Sequence, residues 1–260
     1  VGRTPFYAYD RAAIAARVRS LREALPCGLH LHYAIKANPM PALVQHLAAL
    51  TDGLDVASAQ EMAVALDAGV DPARISFAGP GKTHAEIRRA VAAGITMTAE
   101  SVAQLDAAVE AGNALGVPPR VALRVNPAFE LKASGMKMGG GPKPFGIDEA
   151  KLPEVLDAMR ARGLALVGLH IFGGSQNLRA DAIVDAQSKT YELGRRLLAH
   201  WGEPVQWLNL GGGFGVPYFP GEQPLDLAPI GENLQTLCSR AAGEIGAPLV
   251  IELGRYFVAE

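Results

Sequence analysis

Two cysteines in 260 residues are too few for a disulfide framework, and Cys27 and Cys238 stand too far apart for a zinc knuckle, so no metal site is expected. Each is expected as a small buried hydrophobe. No run of about 18 uncharged apolar residues occurs, and VGRTPFYAYD at 1–10 lacks the basic, apolar and cleavage-site zones of a signal peptide. A soluble, cytoplasmic protein with no membrane partner is the expectation. Neither sign of charge dominates: 24 Lys+Arg against 26 Asp+Glu leave −2, which excludes nucleic-acid binding driven by bulk charge. With apolar residues at 49% and charged residues at 19%, disordered and coiled-coil compositions are also excluded.

What is there is alternation. Apolar runs rich in Val, Ile and Leu occur at 31–37, 54–58, 75–80, 95–100, 120–127, 164–172, 207–213 and 248–254, eight strand candidates. Ala- and Leu-rich segments with helical spacing separate them. One more helix precedes the first strand, where Ile14, Val18, Leu21 and Leu25 repeat on one face behind a candidate N-cap at Asp10. Eight strands alternating with helices in about 250 residues predict a closed (β/α)8 barrel, over 10–260 with a lead-in at 1–9.

Strand parity says where the chemistry sits. Val121, Leu123 and Val125 form one apolar row and leave Ala122, Arg124 and Asn126 on the other face. The inward row turns polar toward the C-terminal end of several strands, at Lys36, Glu100, Arg124, His170 and Glu252, and that is the end where barrel enzymes keep their sites. Two long connections interrupt the pattern. Residues 128–146, rich in Gly and Lys, read as a lid over the barrel mouth or as a solvated loop. Residues 215–229, with Pro217, Pro220, Pro224 and Pro229, read as a rigid loop.

Individual residues carry more than one reading. Lys36 closes an apolar strand, where it either snorkels to the mouth or offers a desolvated amine for a Schiff base. Gly211, Gly212 and Gly213 after strand seven form either a tight turn or an anion nest. Glu252 and Arg255 after strand eight pair with each other at the surface, or hold a ring nitrogen and an anion respectively. Ser58 with Glu61, Thr83 with Glu86 and Ser101 with Gln104 read as capping boxes. Asp55 points inward and needs a cation, Lys36 or Arg124. His170 and Phe172 share a face ahead of Gly173-Gly174-Ser175-Gln176. An amine, an anion nest, a hydroxyl and a carboxylate with an arginine are together the parts that pyridoxal phosphate requires.

YAIKAN (33–38), LDVASAQE (54–61), GLHIFGGSQ (168–176), GGGFG (211–215) and ELGR (252–255), in that order along the chain, resemble the motifs of the fold-type III pyridoxal-phosphate amino-acid decarboxylases, the group containing diaminopimelate and ornithine decarboxylases. The resemblance implies a barrel of the alanine-racemase type that binds pyridoxal 5′-phosphate. It implies decarboxylation through a Lys36 Schiff base and a quinonoid intermediate, with Asp55 nearby. Glu252 would hold the pyridine nitrogen, while Ser175, Gly211, Gly212, Gly213, Gly254 and Arg255 would take the phosphate, Arg255 also serving the substrate. Phe172 stands where the family's motif has a ring-stacking histidine, with His170 two residues earlier; it keeps a stacking face and loses any acid-base role, and His170 and Arg124 are counted with the cofactor-binding residues. Leu253 replaces the motif's proline.

SGMKMGGGPKPFGID (134–148) with HIFGGSQNL (170–178) is similar to a subgroup found in exosortase-associated exopolysaccharide clusters, which leaves a free or a carrier-tethered amino acid as substrate. The resemblance further implies a homodimer and a C-terminal β domain, supplying a cysteine and a tyrosine, that is not present in these 260 residues; neither Cys27 nor Cys238 matches that cysteine. Three other readings compete. A racemase shares the barrel and the lysine but not the residues after Lys36. A non-catalytic binding homologue would not need Lys36 and Glu252. A phosphosugar-binding barrel leaves both unexplained.

Overall fold

The computed structural model describes residues 2–129, 136–137 and 143–259. All eight expected strands are present: β1 His30–Ala34, β2 Gly53–Val56, β3 Ile75–Phe77, β4 Thr96–Ala99, β5 Val121–Asn126, β6 Leu166–Ile171, β7 Trp207–Gly212 and β8 Leu249–Leu253. They pair side by side in the order β4-β3-β2-β1-β8-β7-β6-β5, and a further β4–β5 pairing closes the cylinder. Every barrel pairing is parallel. A closed sheet has no exposed edge, so each strand's backbone groups are met on both sides.

The surrounding helices are α1 Arg11–Ala24, α2 Pro41–Ala48, α3 Ala59–Asp67, α4 His84–Ala93, α5 Val102–Leu115, α6 Leu152–Ala161, α7 Ala180–Trp201, α8 Ala228–Glu244 and the single turn α9 Arg255–Val258. Their starts follow from short polar side chains. The Asp10 carboxylate accepts from the Ala12 and Ala13 amides at 2.8 and 3.2 Å and so opens α1. Ile14, Val18 and Leu21 then face inward and are buried. Thr83 and Glu86 form the expected reciprocal capping box on α4.

The other two boxes close differently. Ser58 caps α3, but the Glu61 carboxylate accepts from the Ala57 amide at 2.8 Å, one residue before the cap. Likewise Ser101 caps α5, while the Gln104 oxygen accepts from the Glu100 amide at 3.0 Å. In both, the residue preceding the cap has already left its strand, which ends at Val56 and at Ala99 respectively. Cys27 is a second correction. It is exposed, and Cys238 is half-buried, because Cys27 lies in the Pro26-Cys27-Gly28 turn that carries the chain from α1 into β1.

Three two-residue strands were not anticipated. Ile147–Asp148 pairs with Val125 and Asn126 of β5, and Met136–Lys137 runs antiparallel to Gly174–Ser175. The lid expectation at 128–146 falls largely on 130–135 and 138–142, which lie outside the described residues. The proline-rich connection after β7 is tied to itself: the Glu222 carboxylate accepts from the Tyr218 and Phe219 amides at 2.7 and 3.1 Å.

Gly168 shows how tightly the strands meet the ring. It pairs with Trp207, and a Cβ placed on it would lie 2.3 Å from the Trp207 carbonyl oxygen and 2.6 Å from the indole ring. Gly168→Ala therefore forces β6 and β7 apart. The expected loss is about 1–3 kcal/mol of unfolding free energy, read as a lower urea midpoint; an unchanged midpoint would contradict the packing described.

Candidate functional site

At the C-terminal ends of the strands lies a cavity of about 940 Å³. Lys36, Phe172, Ser175, Gly213, Glu252 and Arg255 line it together. Four strand ends thus converge on one space, and each residue reaches it for a local reason.

Lys36 does not sit on β1 but in the 3-10 turn Ile35–Ala37 that follows it. The turn is anchored from below: Ile35 and Tyr33 are fully buried, and the Tyr33 hydroxyl donates to the Asn38 carbonyl at 2.9 Å. This leaves the Lys36 side chain half-exposed toward the cavity, with Nζ 3.3 Å from Glu252 Oε1. Glu252 itself is buried near the end of β8, and its second oxygen lies 3.0 Å from His170 Nε2. These two atoms face each other out of reach of solvent, and neither has another hydrogen-bond partner among the described residues. Burial pushes the Glu252 carboxyl up; the charges of Lys36 and His170, helped by Arg124, outweigh it and hold the group well below the ordinary carboxylate value. Glu252 is therefore an anion beside the cavity with bonding capacity to spare.

The glycines after β7 have distinct reasons. A Cβ on Gly211, whose φ is +73°, would lie 2.8 Å from the Phe172 ring, and one on Gly212 would lie 2.0 Å from the Glu252 carbonyl oxygen. Gly211 lets Phe172 settle against the chain, Gly212 lets β7 approach β8, and Gly213 lines the cavity with φ +83°. Gly254 also lines the cavity, where a Cβ would crowd Ala37 at 3.0 Å.

The remaining expected residues form the layer beneath. Arg124 is buried and its Nη1 donates to Glu100 Oε1 at 3.0 Å. Its guanidinium lies 4.9 Å from the Phe145 ring centroid and 5.9 Å from that of Phe172, so it stacks behind the rings. Asp55 does not pair with Lys36 or Arg124. Its oxygens lie 3.3 and 3.4 Å from His32 Nδ1, and the Ser76 hydroxyl donates to Oδ1. The register explains this correction: Asp55 stands beside Ala34 on β1 and Ser76 on β3, within reach of His32 two residues below, whereas Lys36 has left the strand. His32 is fully buried; burial lowers its pKa, the Asp55 charge and hydrogen bond raise it, and the net direction is upward.

Sequence reasoning missed His32, Ser76, Lys82, Gln176 and Tyr218. Burial lowers the Lys82 amine to about 8 against the pull of Glu100, and its Nζ donates to the Gly79 and Thr98 carbonyls at 2.7 and 2.8 Å. The inward parity of His32 on β1 was the available signal for that residue. For Lys82 and Tyr218, both on loops, periodicity offered none. Among the described residues no group of three or more His, Cys, Asp or Glu could hold a metal, and no helix is long and apolar enough to cross a membrane.

Residues 11–259 match the family described as "Pyridoxal-dependent decarboxylase, pyridoxal binding domain". The L-glutamyl-[BtrI acyl-carrier protein] decarboxylase of Niallia circulans is 37% identical over 99% of this chain and 61% of its own length. The diaminopimelate decarboxylase of Aquifex aeolicus is 34% identical over 97% of this chain and 59% of its own. In structure, the diaminopimelate decarboxylase of Helicobacter pylori complexed with L-lysine superposes with a TM-score of 0.88 at 30% identity, covering 100% of this chain and 65% of that one. The chain thus spans about three fifths of the length of these curated relatives. It belongs to the pyridoxal-dependent decarboxylase family through the pyridoxal binding domain.

The His32–Asp55 pair sets a pH dependence that can be checked. A histidine whose folded pKa is raised stabilises the fold fully below its unfolded value of 6.5, and the contribution fades as pH rises through the folded value. The stability difference between wild type and His32→Asn, from urea midpoints, is expected to be larger at pH 6 than at pH 8.5. A difference that grows with pH would reverse the assignment.

Proposed function

We propose that this member of the family binds pyridoxal 5′-phosphate in the cavity and removes the α-carboxyl group of an amino acid, in the manner of a diaminopimelate decarboxylase. The observation that carries the reading is the 3.3 Å contact between Lys36 Nζ and the buried, ionised Glu252 in a cavity that Ser175, Gly213 and Arg255 also line. The residues fit the cofactor. Glu252 sets a carboxylate in the cavity wall within 3.3 Å of Lys36 Nζ, and Gly213, with φ +83°, presents backbone without a side chain to the same space.

When bound, the cofactor supplies an electron-accepting ring for the pair released as the Cα–carboxyl bond breaks. Lys36 Nζ would be the amine that holds the cofactor through its aldehyde carbon, with loss of water. Glu252, kept ionised, holds a proton at the ring nitrogen, and the His170 ring beside Oε2 keeps the carboxylate from turning away. The phosphate is taken by the Ser175 hydroxyl, the Gly213 amide and the Arg255 guanidinium. Phe172 offers a face to the ring and has no proton to give or take. Phe145, Phe214, Leu253 and Val258 add apolar wall to the cavity. Asp55, held by His32 and Ser76 below the Lys36 turn, adds negative charge under the site.

Two substrate classes have support. The diaminopimelate decarboxylase relatives favour a free amino acid, and the glutamyl carrier-protein relative favours a substrate tethered to a carrier. A cytoplasmic homodimer of the full-length protein belongs to the same reading, and light scattering of that protein should give twice its monomer mass.

Full-length protein reconstituted with pyridoxal phosphate should absorb in the visible and release CO2 from one member of a panel of free and carrier-tethered amino acids. Lys36→Ala should lose both signals; normal turnover by that variant would refute the reading. Glu252→Ala should lower kcat by about a hundredfold or more while cofactor affinity changes far less, and equal losses in both would remove its role at the ring nitrogen.

A further inference from the structure

Gln176 is, among the described residues, the one non-glycine residue with a left-handed backbone, at φ +57°. Such a conformation is uncommon for a residue carrying a Cβ and persists where the surroundings impose it. Here the next residue is laced into the loop after β7: the Asn177 amide donates to the Gly213 carbonyl and the Gly215 amide to the Asn177 carbonyl, both at 2.9 Å. The Gln176 side chain extends the lacing. Its Nε2 donates to the Val216 carbonyl at 2.6 Å, and its Oε1 accepts from the Val216 amide at 3.3 Å. Because Val216 presents one donor and one acceptor, the amide has a single satisfied orientation, and that orientation turns Oε1 toward Arg255.

Arg255 Nη1 donates to that oxygen at 3.2 Å. Its guanidinium lies 5.5 Å from the Tyr218 ring centroid. Both partners are neutral, so the arginine is oriented without its charge being cancelled. An exposed arginine otherwise loses side-chain freedom when it meets an anion, and prior orientation removes part of that loss.

We propose that Gln176 is a positioning residue for the phosphate end of the site: it holds the Arg255 guanidinium beside Ser175 and Gly213, ready for a phosphate. The inference rests on the pyridoxal-phosphate reading of this cavity. The connection after β6 reaches Arg255 through Gln176, and the connection after β7 reaches it through Tyr218, so the arginine that follows β8 is held from two other loops.

The test compares pyridoxal 5′-phosphate with pyridoxal, which keeps the aldehyde and lacks the phosphate, by absorbance titration of full-length wild type, Gln176→Asn and Gln176→Glu. Asparagine accepts the left-handed backbone but falls short of Val216 and Arg255. It is expected to raise the Kd for pyridoxal phosphate about tenfold and to leave that for pyridoxal unchanged. Glutamate keeps the reach but places a negative charge on Arg255, and it should weaken pyridoxal phosphate at least as much, again without affecting pyridoxal. A purely structural role predicts equal losses for both ligands in Gln176→Asn and little loss in Gln176→Glu; either result overturns the proposal. So does unchanged pyridoxal-phosphate affinity with a raised KM, which would assign Arg255 to the substrate. Failure of the cofactor reading is separate and shows in the wild type, as the absence of any Lys36-dependent absorbance.

Discussion

Three carboxylates are buried at one end of the barrel, and each must be given a cation there. Leaving such a charge unpaired in an apolar interior costs several kcal/mol. Asp55 is met by His32, Glu100 by Arg124, and Glu252 by Lys36 and His170. The pairs are not interchangeable, because the parallel register fixes which strand ends are neighbours: Glu252 lies beside His32 of β1, and Arg124 beside His170 of β6. Closure of the sheet brings these rungs into one ring. Of the three anions, Glu252 alone lines the cavity, and its low proton affinity comes from Lys36 in the turn after β1, from His170 on β6 and from Arg124 on β5.

Around that ring the site separates into a rigid floor and an oriented rim. The floor is strand residues and glycines at which backbone meets backbone, as where Gly212 passes the Glu252 carbonyl. The rim is built from loops, and loops hold side chains only where something else fixes them. Glu222 folds the proline-rich loop on itself, Gln176 joins it to the loop after β6, and Tyr218 lies against Arg255. Lys82 does comparable work at the other side, tying the loop after β3 to the end of β4 through the Gly79 and Thr98 carbonyls. The aromatic face offered by Phe172 is likewise backed, by the Arg124 guanidinium that Glu100 holds in place.

The eight strands, the N-cap at Asp10 and the capping box at Thr83 were legible because each depends on a few adjacent residues and a fixed period. So was the inward, C-terminal position of Arg124, His170 and Glu252, since alternation along a strand settles which face a side chain takes. The pairing of Asp55 was not. It depends on β1 standing between β2 and β8 and on Lys36 leaving the strand for a 3-10 turn, so that His32 two residues below became the available cation. The burial of Cys27 failed for a related reason: composition places a cysteine inside on average, and the turn it occupies lies outside.

The sequence by itself determined the barrel, the end at which polar residues gather, and the motifs that carry the family resemblance, because periodicity and short motifs are properties of the chain alone. The tertiary structure decided which charge meets which and how Arg255 is held. Those contacts join residues far apart in sequence, 216 positions between Lys36 and Glu252 and 79 between Gln176 and Arg255. Their geometry is set by closure and register, which no local stretch of sequence contains.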